Sequence, residues 1–375
     1  MPQQLRWLVM LFAALCGCGT LGSAPPVVAV KAPLAAPVGE VTLQQAAALR
    51  LVPLDIGISI FDKGLANATD GDRVFPTVRK AESLLIPVML AGTLVDSGAW
   101  GAVRVVHSSD VNLPLVAEGE ILTADGATLE LRLRVVSADG EVLLTRIYRD
   151  EATPADYPVA AGDDPFADIY RAISNDLLLI AQRLTAEQRI ELERIAMLRF
   201  ASELAPATFS RFLQRNPDDR YALVSFPAAG DPMLARLARL RRQDELFIDA
   251  VHDQYADLQE QVAESYALWR EYSFELQRFG DSYRESAAER KTSARRGSYA
   301  AMQQVYASFR KVKIQEEDLR ELVRGFSGES LETVLSVDDG VVKLSGSVQQ
   351  RYDEWRRILT RIDALETGGV QGVVR

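Results

Sequence analysis

The chain has 375 residues, 48% hydrophobic and 25% charged, a composition that excludes wholesale disorder, collagen-like repeats and a polytopic membrane protein. Forty-two basic residues against 52 acidic ones give a net charge of -10, so a nucleic acid, itself a polyanion, is not an expected partner. Both cysteines, Cys16 and Cys18, fall at the start, and the two histidines, His107 and His252, lie far apart in the chain.

Residues 1–17 read as a signal peptide. Arg6 precedes the apolar run Trp7–Leu15, which is too short to span a bilayer and has the length of a secretory core segment. The sequence Leu15-Cys16-Gly17-Cys18 follows and resembles the bacterial lipobox. That resemblance implies recognition of Leu15, Cys16 and Gly17 by the signal peptidase, cleavage after Gly17 and acylation of Cys18. The alternatives are a plain signal peptide or a buried amphipathic start. Acyl chains contribute about 0.8 kcal/mol per buried CH₂, so two or three of them anchor a protein without a transmembrane helix. Gly19 after the cysteine favours, by the same resemblance, the outer membrane over the inner. No free thiol would remain in the mature chain, so neither a disulfide nor cysteine-metal chemistry is expected. Residues 18–50 comprise the lipidated cysteine and an extended tether rich in Ala, Pro and Val (SAPPVVAVKAPLAAPVG), without helical or strand periodicity.

Residues 51–184 predict the order β-α-β-β-β-α. The stretch DIGISIF, residues 55–61, is a strand. Residues 79–97 form a helix with Leu84, Leu85, Val88 and Met89 at helical spacing, and Pro87 predicts a kink or split within it. A strand over 100–106 is followed by three alternating ones, over 115–122, 128–136 and 142–149. Asp125-Gly126 and Asp139-Gly140 mark the hairpins between them. Asp164 as N-cap and Pro165 in the first turn open a closing helix through Ile173 and Leu184. The DIGISIF strand, LVDSGAWGAVRVV and the meander LVAEGEILTADGATLELRLRVVSADGEVLLTRIYR resemble the amino-terminal domain of the Tol–Pal β-propeller protein. They also resemble related domains of the curli-secretion lipoprotein, the flagellar T-ring protein and the lipoprotein activators of peptidoglycan synthases. The resemblance implies a periplasmic binding or assembly module. Residues 19–180 hold 12 basic and 21 acidic side chains, or -9, which either presents a face to a basic partner or serves solubility.

Residues 185–326 are read as helical. Thr185 and Gln188 form a capping box, Asp231-Pro232 opens a helix of around fifty residues that Gly280 ends or bends, and 299–326 forms a second long helix. The two pack most simply as an antiparallel hairpin. The basic cluster Arg290, Lys291, Arg295 and Arg296 between them is read as a solvated turn, with lipid head-group binding as the alternative. In residues 327–375, TVLSVDDGVVKLSGSV and a following amphipathic helix resemble the BON domain. The match runs through Gly340, Val341, Val342, Leu344, Ser345, Gly346, Val348, Gly369, Val370 and Val373. The resemblance places a turn at Gly340, Leu344, Ser345 and Gly346 and implies a periplasmic or outer-membrane setting. An echo, Tyr266-x-x-Trp269-Arg270 and Tyr352-x-x-Trp355-Arg356, places each Tyr and Trp on one helical face and reads as an aromatic core ridge.

His107 with Ser108, Ser109 and Asp110 is the only local set suggesting acyl chemistry, and it lacks a nucleophile elbow. His252 with Asp249 or Asp253 has no second histidine nearby for a metal pair. The paired acids Asp163-Asp164 and Asp218-Asp219 read as caps and turns. No phosphate loop or dinucleotide fingerprint occurs.

The expected fold is thus α+β. It comprises an N-terminal α/β sandwich with a mainly antiparallel sheet, a long helical hairpin and a small C-terminal ββα module. The expected function is a non-catalytic, lipid-anchored outer-membrane scaffold or assembly factor facing the periplasm. It needs no cofactor or metal, and its partners are the membrane, through acyl chains, and another envelope protein rather than a small molecule. A regulatory activator of a peptidoglycan synthase and a cell-wall hydrolase are the alternatives.

Overall fold

A computed structural model describes residues 35–46, 53–67, 75–160, 162–228, 230–289, 298–327, 332–337 and 340–367. Leu15, Cys16, Gly17 and Cys18 lie outside the described residues. So do the basic cluster at 290–296, Asp339 and the last positions of the BON-like match, Gly369, Val370 and Val373.

The fold is α+β. Strands β1 (Ile56–Ser59), β2 (Val103–Val106), β3 (Leu115–Ala124), β4 (Thr128–Ser137) and β5 (Val142–Glu151) form one sheet in the order β2-β1-β3-β4-β5. The sheet is mixed, and its longer ladders are the antiparallel ones. β1 pairs in parallel with both β2 and β3, and only β3-β4 and β4-β5 are antiparallel. The Asp-Gly turns announce the two hairpins, whereas nothing local announces that β2 and β3 flank β1 on opposite sides. Helix α1 (Pro76–Ser97) supplies the crossover between β1 and β2.

Helices α1 and α2 (Ala167–Arg183) cover one face of the sheet, where Ile56, Ile58, Val105 and Leu131 pack with Ile86, Leu90, Ile173 and Leu177. Pro87 does not split α1. A proline has no N–H to offer the carbonyl four residues back, and here the Ser83 carbonyl instead accepts the N–H of Phe61 at 3.0 Å. The bond that Pro87 forgoes therefore ties the helix to the end of β1. Helix α2 begins later than its cap signal suggests. Asp164 accepts the N–H of Phe166 at 2.8 Å in a turn that precedes the first helical residue.

Residues 35–46, read as part of the tether, lie along this layer. Val38 N–H donates to the Arg149 carbonyl on the edge strand β5, Val41 N–H to Asp168, and Ala46 N–H to the Ser97 carbonyl. Each backbone donor finds a partner on a different element, so this stretch is a strap rather than free chain.

Helix α3 (Ala186–Leu204) starts with the expected capping box, with reciprocal bonds between Thr185 and Gln188. A short helix α4 (Pro206–Phe209) and a small hairpin, β6 (Leu213–Arg215) with β7 (Tyr221–Leu223), follow. Helix α5 (Pro232–Glu289) is 58 residues long and continues through Gly280, about 87 Å at 1.5 Å per residue. Its Asp231 cap accepts the N–H of Met233 at 2.9 Å. Ile248 of α5 packs against Val106, Leu113 and Val116 on the second face of the sheet. Farther along, Leu258, Val262, Tyr266 and Trp269 share a cluster with Val78 and Leu85 of α1 and with Val312 and Leu319 of α6 (Ser298–Ser327).

The tail consists of β8 (Thr333–Val337), β9 (Gly340–Leu344) and α7 (Val348–Glu366). Gly346 has φ +103°, a conformation that favours glycine, and Ser347 then caps α7 in a capping box with Gln350. Leu335, Leu344, Tyr352, Trp355 and Leu359 join the cluster that holds the sheet, α2 and α3. One core thus runs through segments that the sequence presents as successive modules, and residues 35–375 form a single unit.

Candidate functional site

The two echo segments each bring an arginine to a buried acid. On α5, Trp269 and Arg270 are each 1% exposed. Phe75 meets the Trp269 ring edge-on at 6.3 Å. The Arg270 guanidinium lies 3.3 Å from Glu82 of α1, which is equally buried, and it donates to the Tyr266 hydroxyl and the Asp125 carbonyl. Tyr266 in turn donates to Glu82 at 3.2 Å, and Arg79 lies 3.5 Å from the same carboxylate. Burial pushes the Glu82 carboxyl above its ordinary range, against the pull of Arg270 and Arg79.

The turn between β3 and β4 rests on this joint. Gly126 N–H donates to Ser273 at 3.1 Å, and the Gly126 carbonyl accepts from Tyr157 at 2.6 Å. Tyr157 also stacks on Phe274 at 4.7 Å. A Cβ at position 126 would fall well inside 3.0 Å of the Phe274 nitrogen and the Arg270 carbonyl oxygen, so the turn approaches α5 as only glycine allows.

The second joint holds the tail. On α7, Trp355 stacks on Phe247 of α5 at 6.3 Å. Arg356 lies over the Phe200 ring of α3 at 4.5 Å, with nitrogens 2.7 Å from Glu203 and 3.6 Å from Asp244. Arg241 is 3.8 Å from Asp244 and donates to the Asn112 carbonyl, while the Asn112 amide donates to Glu203 at 2.9 Å. Burial pushes the Asp244 carboxyl up, opposed by Arg356 and Arg241. His107 packs against Tyr352 with ring centroids 4.2 Å apart, and burial lowers its pKa to about 4.

The remaining candidates serve structure. His107 is engaged with Tyr352, and Ser108 accepts the N–H of Asp110 at 3.2 Å in a local turn. His252 accepts the N–H of Val105 through Nδ1 at 3.1 Å, and so covers the free edge of β2. Its neighbour Asp249 pairs at 2.6 Å with Arg104, which also holds Asp55 at 2.7 Å. Among the described residues, no group of three or more His, Cys, Asp or Glu side chains could hold a metal ion. Of the BON-like turn, Gly340 opens β9, Leu344 is fully buried, Ser345 is exposed and Gly346 makes the bend.

A groove of about 280 Å³ opens between the β4-β5 turn, the start of α3 and the β6-β7 hairpin. Arg220 there joins Asp139 and Glu141, the latter at 2.6 Å, and Glu191, Leu192 and Tyr221 are among the other residues of the wall. A mixed wall of acids and apolar side chains suits a basic or polar side chain better than an anion. Sequence reasoning missed both arginine joints and this groove, because each assembles residues from remote elements. The only local signal was the repeated Arg after Trp. No protein-family model, curated protein or solved structure matches the chain.

Proposed function

We propose that this chain is an outer-membrane lipoprotein, held by acyl groups on Cys18 and facing the periplasm, that acts as a non-catalytic scaffold or assembly factor for another envelope protein. The observation that carries the reading is Leu15-Cys16-Gly17-Cys18 behind a short apolar run, the pattern in which a thiol becomes a lipid attachment point. The described residues support the scaffold half. The buried acids Glu82 and Asp244, facing Arg270 and Arg356, are used to join helices and turns. The acidic layer with its groove beside Glu141 and Glu191 suits a basic segment of a partner protein. The β-α-β-β-β-α order, with its resemblance to periplasmic assembly modules, points the same way.

Mass spectrometry of the mature amino terminus tests the anchor. A start at Cys18 carrying acyl chains is expected, and Cys18→Ser should release the protein from the membrane fraction. An unmodified terminus on membrane-bound protein overturns the anchor. For the scaffold, cross-linking in cells should recover one envelope protein, and Glu191→Lys should reduce that product. Peptidoglycan release by the purified chain would replace the scaffold with a hydrolase.

A further inference from the structure

A pocket of about 270 Å³ opens where α3 meets the β6-β7 hairpin, and it shares only Tyr221 with the groove beside Glu141. Arg199, Ser202 and Glu203 line it from α3, at a spacing of three and four residues that places them on one face of the helix. Opposite charges four residues apart on a helix commonly pair, yet Arg199 and Glu203 each turn to another partner. Arg199 Nη1 donates to the Ala138 carbonyl at 3.0 Å, and the guanidinium lies 4.9 Å from the Tyr221 ring. Among the described residues it meets no carboxylate. Arg215, the other base in the wall, is committed to Asp219 at 2.6 Å and to the Tyr221 hydroxyl at 2.9 Å. Glu203 accepts Asn112 at 2.9 Å and Arg356 at 2.7 Å, both on Oε2, so Oε1 has no partner among the described residues. The Ser202 hydroxyl is buried and makes no hydrogen bond, although a buried polar group ordinarily has one.

We propose that this pocket binds a small zwitterion of the α-amino-acid class, its carboxylate on Arg199 and the Ser202 hydroxyl and its ammonium on Glu203 Oε1. The carboxylate meets the one base of the wall that has no acid, through charge-assisted hydrogen bonds, and gives Ser202 the partner it lacks. Glu203 in the same wall repels a second negative charge, which selects against phosphate and dicarboxylates. Leu213 and the Tyr221 ring offer an apolar wall to the side chain. The site is independent of acylation at Cys18 and of the scaffold reading.

The test is titration calorimetry of the full chain with glycine, L-alanine, L-glutamine and L-leucine, which share the zwitterion and differ in side chain. At least one should bind saturably at a single site. Its N-acetyl and carboxamide derivatives should each bind about tenfold more weakly, the loss of one charge-assisted contact. Acetate, succinate and inorganic phosphate should not compete. Arg199→Gln should weaken binding about tenfold. Ser202→Ala should weaken it about fivefold with an unchanged melting temperature, because its hydroxyl has no bond to lose in the free chain. Ser202→Ala alone decides if Arg199→Gln, which also gives up the Ala138 contact, does not fold. Saturable binding by none of these amino acids overturns the proposal, as does unchanged affinity in either folded variant. Equal binding of the N-acetyl derivative does the same, since the pocket would then read a peptide's carboxyl terminus, and so does displacement by acetate, succinate or phosphate.

Discussion

The two Tyr-x-x-Trp-Arg segments set the same side chains in different company. At Arg270 the charge is held by hydrogen bonds as well as by Coulomb attraction. Glu82, the Tyr266 hydroxyl and the Asp125 carbonyl all converge on one guanidinium. At Arg356 the central acid, Asp244, stands 3.6 and 3.8 Å from its two arginines. Among the described residues, Asp244 Oδ1 and the facing Nη1 atoms of Arg241 and Arg356 make no hydrogen bond. A buried ion pair recovers its desolvation cost only when geometry is good and the remaining polar atoms are satisfied. At the first joint Arg270 Nε is likewise without a hydrogen bond among the described residues, but the other donors of Arg270 seat a backbone turn on α5 at a distance that admits glycine alone. The second joins α3, α5 and α7 through the bonds of Arg356 and Asn112 to Glu203, while its central acid, Asp244, is held by charge alone.

Removing the acid at each joint is the largest test of that contrast. Glu82→Ala leaves Arg270 buried without its carboxylate and should cost about 3–5 kcal/mol in urea unfolding. Asp244→Ala should cost about half as much, because the interaction lost there was never hydrogen-bonded. Equal costs would show that hydrogen bonding is not what separates the joints. A smaller effect is expected from Gly126→Ala, whose methyl collides with the α5 backbone and should cost about 2–3 kcal/mol. Amide exchange should rise in the turn at 125–127 and in α5 near Phe274, with α7 unaffected. Gly92→Ala is its control. Nothing lies within 4 Å of a Cβ at this helical position, so a gain of about 0.5–1 kcal/mol is expected.

What the sequence made legible was local. Thr185 with Gln188, Asp231 with Pro232, and the turns at Gly126 and Gly140 each act within a few residues, and each stands where its signal lies. Ser347 with Gln350 carries the same capping signal, directly after the glycine of the bend. Strand direction was not legible, because β1 takes its two parallel partners from a crossover and a long connection rather than from a turn. The three-residue strands β6 and β7 are too short to show a period. Trp269 and Trp355 were readable as core from helical spacing. Their arginines were not readable as joints, since Glu82 and Asp244 come from α1 and from another part of α5, and no spacing rule links residues so far apart. The strap over 35–46 was obscured by its Ala/Pro composition, which describes the side chains and not the backbone donors that hold it.

Acid should act on His107 and on the two buried carboxyls with opposite sign. His107, beside Tyr352 at the tail joint, has its pKa lowered from 6.5 to about 4 by burial, with Asp353 and Asp110 opposing. Its contribution is therefore fully present above pH 6.5 and is lost as the pH falls through about 4, at about 2 kcal/mol once partial exposure is allowed for. Glu82 and Asp244 shift the other way, since burial raises both carboxyls, and proton uptake there favours the folded chain. Acidification should thus strain the His107 contact with Tyr352 of α7, partly offset by proton uptake at Asp244, and leave the seat of Gly126 undisturbed. The check is the urea midpoint between pH 7 and pH 4 for the parent chain and for His107→Gln, together with amide exchange in α7 corrected for intrinsic rate. The parent should lose stability over this range faster than His107→Gln, with early exchange confined to α7. Parallel curves would mean that charging His107 is not resisted by the tail, and that the tail joint already admits water at that ring.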